Sequence, residues 1–262
     1  MPRQLRRMFV APRAVVQAIV ACQLLLLAGG NSPVGVARAD EPAVVETQRR
    51  EFAISVDSGK RGTCTMQIRR TSDGTLRLRS EAELHIHVLV YNYDYTSSGT
   101  EIWKDGRLLA MENVADYNGT QYRVKASPAG KGLQVTTDGS TVQLPSETWV
   151  TSYWQTPEKL ALGELADRTA GDAASINPAE ARGPRYLAIL DSDKGQQLHG
   201  KLVREADETL TLAGQARPCT HYSLKGDVHV KLWYDASGRL VQEDSIERHH
   251  RVRFALNEVA AE

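Results

Sequence analysis

Ile102-Trp103-Lys104-Asp105-Gly106-Arg107-Leu108 joins two short apolar stretches through a polar turn. The same arrangement returns as Leu232-Trp233-Tyr234-Asp235-Ala236-Ser237-Gly238-Arg239-Leu240. Asp-Gly and Asp-x-x-Gly permit the positive φ angles that a tight reversal of a twisted ribbon requires. Similar turns are indicated at Asp73-Gly74, Asn118-Gly119 and Asp138-Gly139. The chain is therefore predicted to be a succession of antiparallel hairpins.

Apolar residues alternate with polar ones from Leu76 to Val90, the longest extended segment. A period of two indicates a strand with one buried face. The change of character near Leu89 indicates a bulge, a bend or passage into a region covered on both sides. The aromatic spacing between Pro145 and Leu165 instead predicts one or two short helices. The predicted fold is mainly β, a curved antiparallel sheet or partial barrel of roughly ten to twelve strands with one or two short helices.

Residues 1–39 have the composition of a secretory signal peptide. Arginines precede an apolar run from Ala14 to Gly30, and Ala37-Arg38-Ala39 supplies a small-x-small cleavage pattern. We expect a periplasmic or secreted protein after cleavage near Ala39; a retained N-terminal anchor is the alternative. Residues 40–262 are predicted to form a single mainly-β domain with a polar loop or insertion at 166–184.

The charge balance argues against one class of partner. The chain has 32 basic and 32 acidic residues, and the leader removes five arginines and no acid, which leaves 27 basic residues and a net charge of −5. Nucleic-acid binding would need a basic patch, so no nucleic acid is expected as a partner. The mature chain has no second long apolar run, and no transmembrane segment is predicted there.

The exported part contains two cysteines, Cys64 and Cys219. In an oxidising compartment they could form a disulfide, which would stabilise by roughly 4 to 5 kcal/mol by closing so long a loop. The alternative is two separate buried thiols, because the sequence does not supply the Cα separation that a bridge needs.

Local signatures of catalysis are absent: there is no Gly-x-Ser-x-Gly, His-Glu-x-x-His or phosphate-binding loop. His85 and His87 share one face of a strand, which suits a metal on a β scaffold or simply a solvated face. Asp191-x-Asp193-x-Gly195 resembles the start of a calcium loop, but Leu202 stands where the bidentate Glu is needed, so a turn is predicted. The sequence favours a non-catalytic protein with no cofactor and leaves the enzyme question open.

Four stretches carry a family resemblance: 101–108, Ser152-Tyr153-Trp154, 190–195 and 232–240. Together they resemble an exported bacterial family known as domain of unknown function 6134, over about residues 47–257. The resemblance implies a curved antiparallel sheet like that of the periplasmic lipoprotein carriers. It transfers no activity, and therefore no catalytic residues.

Two functions of different class remain open. The first is a periplasmic binding or carrier module for an apolar ligand such as a lipid, whose predicted lining is Leu89, Tyr91, Tyr93, Tyr95, Trp103 and Trp154. The second is a structural or protein-interaction module of the cell envelope, in which these aromatic residues are ordinary core. A less favoured alternative is a metal-dependent enzyme, whose metal ligands would be His85 and His87.

Overall fold

The computed structural model describes residues 42–57, 59–88, 91–156, 185–247 and 249–261. These residues form sixteen strands: β1 (Val44–Val56), β2 (Gly59–Thr71), β3 (Leu76–Val88), β4 (Tyr91–Lys104), β5 (Arg107–Tyr117), β6 (Thr120–Ala129), β7 (Gly132–Thr137), β8 (Ser140–Pro145), β9 (Trp149–Val150), β10 (Arg185–Leu190), β11 (Gln197–Arg204), β12 (Glu208–Leu212), β13 (Gln215–Gly226), β14 (His229–Tyr234), β15 (Leu240–Glu247) and β16 (His250–Ala261). The signal peptide predicted at 1–39 and the loop predicted at 166–184 lie outside the described residues.

One sheet contains these strands, in the order β8-β7-β6-β5-β4-β3-β2-β1-β16-β15-β14-β13-β11-β10-β9, with β12 paired to β13 off this path. All pairings are antiparallel except that of β9 with β10. The two end strands, β8 and β9, are joined by a turn in which Thr148 N–H donates to the Pro145 carbonyl. Pro145 ends β8 and Trp149 begins β9, and the four Cα steps between them span at most about 15 Å. The two ends of the sheet therefore lie close together, and the sheet curves like a barrel.

The hairpin prediction is confirmed at both repeats. Asp105 and Gly106 have φ angles of 50° and 76°, and Gly238 has a φ of 70°. A register shift occurs next to each tryptophan, at Ile102/Trp103 and at Trp233/Tyr234. The two tryptophans nevertheless have different surroundings, because Trp103 packs into the core while Trp233 lies on the opposite face of its strand pair.

The bulge, bend or passage into a region covered on both sides that is predicted near Leu89 falls outside the described residues. The described strands on either side, β3 and β4, are antiparallel partners, with Val88 opposite Tyr91. The described residues form sixteen strands, so the predicted count of ten to twelve was too low.

The predicted helices are not found among the described residues. Residues 146–156 form turns, the two-residue strand β9 and a bridge between Gln155 and Arg239, and Tyr153 has a φ of 46°. The part of the predicted helical segment after Thr156 falls outside the described residues. The aromatic spacing that resembled a helix arises because this segment packs inside the sheet, where Trp149, Tyr153 and Trp154 are all buried. None of the described residues forms a helix long and apolar enough to cross a membrane.

Cys64 and Cys219 are separate free thiols, and both are buried. The disulfide is therefore not formed, and the alternative of two buried thiols describes the structure. Cys64 lies in β2 and Cys219 in β13, and four strands separate these two in the hydrogen-bonded order of the sheet. Burial raises the pKa of Cys64 to about 12.

Candidate functional site

A groove of about 660 Å³ lies on the outer face of β13–β16, away from the core. Its far wall is β12, which pairs with the first half of β13 and approaches β16. Side chains alternate between the two faces of a strand, and Leu232 and Tyr234 point into the core. Trp233 lies between them and therefore points outward into this groove. Its cross-strand partner His221 points the same way. The outer face here is thus partly covered instead of simply solvated.

The floor of the groove is an aromatic stack. The rings of His221 and Trp233 are 4.4 Å apart and nearly parallel, at 6°. His221 Nδ1 lies 2.9 Å from Glu208 Oε1, and Trp233 Nε1 donates to Glu208 Oε2 at 3.4 Å. The carboxylate therefore orients the imidazole with Nδ1 as the donor, and leaves Nε2 directed elsewhere.

His221 Nε2 is a buried polar atom without a hydrogen-bond partner, and His221 is only 7% exposed. Buried polar atoms are normally satisfied, so an unsatisfied one in the lining of a groove indicates a place for a ligand group. Ser223, two residues along the same strand, donates its hydroxyl to Glu205 and not to the imidazole. Among the described residues, therefore, no hydroxyl or thiol is hydrogen-bonded to His221 as a nucleophile would be.

Basic side chains follow the same groove. Lys225, Lys231 and Arg251 line it and are exposed, and neither lysine forms an ion pair with a described residue. Arg253 is already engaged, because it donates two hydrogen bonds of 2.7 and 2.6 Å to Asp244. The free positive charge of the groove therefore comes mainly from the first three side chains.

Apolar groups complete the lining. Leu210 of β12 faces the groove, and Ile246 of β15 lies at its margin with 67% of its surface exposed. Together with the Trp233 ring they give the groove an apolar side next to its basic side. Such a surface can bind an apolar chain that carries an acidic group.

The six residues predicted to line an apolar ligand site are not gathered in this groove. Trp103 and Trp154 pack edge-to-face at 6.4 Å, and both are buried in the core. Tyr93 is partly buried against that core. Leu89 lies outside the described residues, and for Tyr91 only the backbone is described. Their role as a ligand lining stays a prediction.

Tyr95, the last of the six, belongs to a polar cluster that holds the β10–β11 loop. Asp193 of this loop accepts hydrogen bonds from the Tyr95 and Tyr117 hydroxyls at 2.8 and 2.6 Å. It also accepts from Asn113 Nδ2 at 2.9 Å and from Ser97 Oγ at 3.1 Å. The predicted turn at 191–195 is confirmed, and it has a structural role, because Asp193 links the β10–β11 loop to β4 and β5.

The histidine pair predicted as a metal site is only half described. His85 Nδ1 lies 2.8 Å from Asp94 Oδ1 on the exposed face, while the His87 side chain is outside the description. No group of three or more His, Cys, Asp or Glu side chains within the described residues is arranged to hold a metal ion. The metal site stays a prediction.

The groove residues were not predicted from the sequence, because the pattern that contains them indicates little more than an exposed strand face. His221, Ser223 and Lys225 alternate with Tyr222 and Leu224, which identifies only a polar outer face. No local sequence pattern predicts that β12 covers this face. The cover depends on strand pairing, because the first part of β13 pairs with β12 and only its second part pairs with β14.

Comparisons with known proteins agree with this architecture. Residues 52–257 match the family model described as Domain of unknown function (DUF6134). The crystal structure of a beta-barrel-like protein of domain of unknown function DUF1849 from Brucella abortus is similar, with a TM-score of 0.58 at 10% sequence identity. The match covers 84% of this chain and 99% of that one, and at such identity it concerns the fold alone. No curated protein matches the chain.

Proposed function

The chain belongs to the DUF6134 family, and from that premise we propose that it is a non-catalytic binding module for an amphiphile with an acidic group. The ligand would lie in the outer groove between β12 and β14–β16. The observation that carries the proposal is the groove itself. It combines apolar surface with two lysines that form no ion pair with a described residue, and with a buried imidazole nitrogen that has no hydrogen-bond partner among those residues.

Each part of such a ligand has a counterpart in the groove. The exposed Lys225 and Lys231 would attract the acidic group, and Arg251 adds a third positive charge. Leu210 and the Trp233 ring would contact the apolar chain. A groove of about 660 Å³ lies within the usual range of about 300 to 1,000 Å³ for small-molecule sites. A lipid with an acidic head group or a free fatty acid satisfies these requirements.

The probe we choose is dodecanoate below its micelle concentration, measured by titration calorimetry. Trp233 also supplies a fluorescence signal, since it is the one of the four tryptophans that lines the groove, although all four are largely buried. We expect saturable binding of dodecanoate, and binding of the neutral dodecyl maltoside at least tenfold weaker. Equal affinity for the neutral amphiphile would contradict the assignment of the basic side chains.

The matched variants are Lys225→Glu/Lys231→Glu and the control Lys60→Glu/Lys131→Glu, which changes the net charge equally on exposed sites elsewhere. Each exposed charge pair contributes about 0.2 to 1 kcal/mol, and each reversal also adds a repulsion, so about 1.5 to 2 kcal/mol is lost. This predicts dodecanoate binding at least tenfold weaker in the groove variant only. If wild-type protein binds no amphiphile, the proposal fails and the envelope interaction module is favoured.

We also propose that the protein acts outside the cytoplasm, after cleavage near Ala39. The support is the basic and apolar pattern of residues 1–39. Expression of the full chain in a bacterium, followed by N-terminal sequencing of the periplasmic fraction, should give a mature N-terminus at or near Asp40. An intact leader in a membrane fraction would favour the retained anchor instead.

A further inference from the structure

A row of side chains crosses the outer face of six neighbouring strands, from β10 to β16. The register of these strands aligns one residue from each, and paired residues of antiparallel strands point to the same face. The six residues, which we call the basic row, are Tyr186, Lys201, Lys225, His229, Ile246 and Arg251. All six are exposed. Because neighbouring strands lie about 4.8 Å apart, the row is about 24 Å long.

The basic row combines positive charge with apolar surface and contains no acid. Among the large apolar side chains of the described residues, Tyr186 and Ile246 are the two most exposed, at 81% and 67%. Lys201 Nζ lies 6.0 Å from the centroid of the Tyr186 ring, so a charge and an aromatic face are presented together. Single exposed apolar residues are ordinary, but these two share one row and have lysines between them. Their arrangement indicates a contact surface.

Three acids near the row are engaged within the chain. Asp244 accepts two hydrogen bonds from the Arg253 guanidinium, and Asp57 Oδ2 lies 2.6 Å from His250 Nδ1. Asp227 accepts a hydrogen bond of 2.8 Å from a backbone N–H of β11. The row itself contributes three permanent positive charges, from two lysines and one arginine.

The basic row extends past the outer groove. Four of its members also line the groove, whereas Tyr186 and Lys201 lie beyond the lining. A small ligand in the groove leaves these two side chains unused. The row as a whole therefore fits an extended partner better than a second small molecule.

We propose that the basic row docks the protein on the surface of a lipid bilayer that contains anionic phospholipids. Each lysine or arginine near such a surface strengthens binding about fivefold, so three of them supply about a hundredfold. Tyrosine favours the membrane–water interface, and Ile246 adds apolar contact with the acyl region. A nucleic acid would match the charges but offers no counterpart to the exposed isoleucine. Docking does not depend on whether the groove binds an amphiphile.

The probes are sucrose-loaded vesicles of phosphatidylcholine, alone or with about 30% phosphatidylglycerol, and binding is measured by sedimentation. We expect binding to the anionic vesicles to be at least tenfold stronger than to the neutral ones. Raising the salt from about 0.1 M to about 1 M should abolish the difference, because the Debye length falls from about 10 Å to about 3 Å. Residues 1–39 are the same in every protein compared, so differences between variants report on the row.

Lys201→Glu should weaken binding to the anionic vesicles at least tenfold, because the reversal removes an attraction and adds a repulsion. Lys131→Glu, the same change in the exposed β6–β7 turn, is the matched control and should leave binding unchanged. Tyr186→Ser should weaken binding about threefold or more, whereas Leu109→Ser, on the exposed surface of β5, should not. Thermal unfolding of the row variants should match that of wild type, because both side chains are exposed.

The same Lys201→Glu protein should bind dodecanoate as wild type does, since Lys201 lies outside the groove lining. Loss of vesicle binding alone therefore separates docking from the function proposed for the groove. Equal binding to neutral and anionic vesicles, or unchanged binding of Lys201→Glu, would overturn the docking proposal. Binding of poly-L-glutamate without binding of the vesicles would also overturn it and would favour an acidic protein as the partner.

Discussion

Replacing Asp193 by alanine should lower the free energy of unfolding by about 4 kcal/mol. The carboxylate accepts four hydrogen bonds of 2.6 to 3.1 Å from Tyr95, Tyr117, Asn113 and Ser97. A hydrogen bond to a charged group contributes about 1.5 to 3 kcal/mol net, and the donors left behind also lose their partner. The expected loss is smaller than the sum of four such hydrogen bonds, because these groups are only partly buried and water can replace some of the lost bonds.

The same substitution should loosen one connection of the barrel. Asp193 is the group of the β10–β11 loop that reaches both β4 and β5, so its loss should increase hydrogen exchange in 191–196 before other strands are affected. Asp193→Asn keeps the shape but has one acceptor oxygen, and should cost about half as much.

Urea denaturation at pH 7, followed by tryptophan fluorescence, measures these differences. Asp207→Ala is the control, because Asp207 forms an exposed ion pair with Arg204, and such pairs contribute about 0.2 to 1 kcal/mol. A loss below about 1 kcal/mol for Asp193→Ala, equal to that of the control, would refute the role of the cluster.

Three further predictions concern other parts of the molecule. Gly195→Ala should destabilise by more than about 2 kcal/mol in thermal unfolding, because φ is +68° and the added Cβ would lie 2.2 Å from Thr137 Cγ2; a normal melting temperature would contradict this packing. Burial raises the pKa of Glu101 to about 7, so the folded state holds a proton that the unfolded state releases, and the free energy of unfolding should fall as the pH rises from about 4.5 to 7. Chemical denaturation across this interval should show a shallower fall in Glu101→Gln, and an identical slope would exclude the effect. Cys64 and Cys219 should be titrated by a thiol reagent only after unfolding, and any disulfide in the native protein, detected by mass spectrometry without reductant, would contradict the free thiols.

Much of the fold could be predicted from local patterns. The turns at Asp105-Gly106 and Asn118-Gly119 have the positive φ angles that their residues permit, and the Leu76–Val88 strand alternates as its sequence indicates. The helix prediction failed for a physical reason. At Trp149–Trp154 a buried, irregular segment places aromatic side chains at helix-like spacing, so tertiary packing and not local propensity determines its conformation.

The candidate sites were much less predictable. Trp233 is recognisable as part of the repeated hairpin, but no sequence pattern assigns His221 or Glu208 to a groove. Glu208 lies in β12 and His221 in β13, and only the pairing of these strands brings the two side chains together.

The hairpins and the alternating strand faces follow from the sequence alone, because φ preferences and period-two alternation act over a few neighbouring residues. Which polar groups meet depends on the tertiary structure. Asp193 and Tyr95 are 98 positions apart, and they are joined because a long twisted sheet curves until its two ends approach. The same curvature separates the inner face, which forms the core, from the outer face that carries Lys225 and Lys231, and the proposed groove depends on that separation.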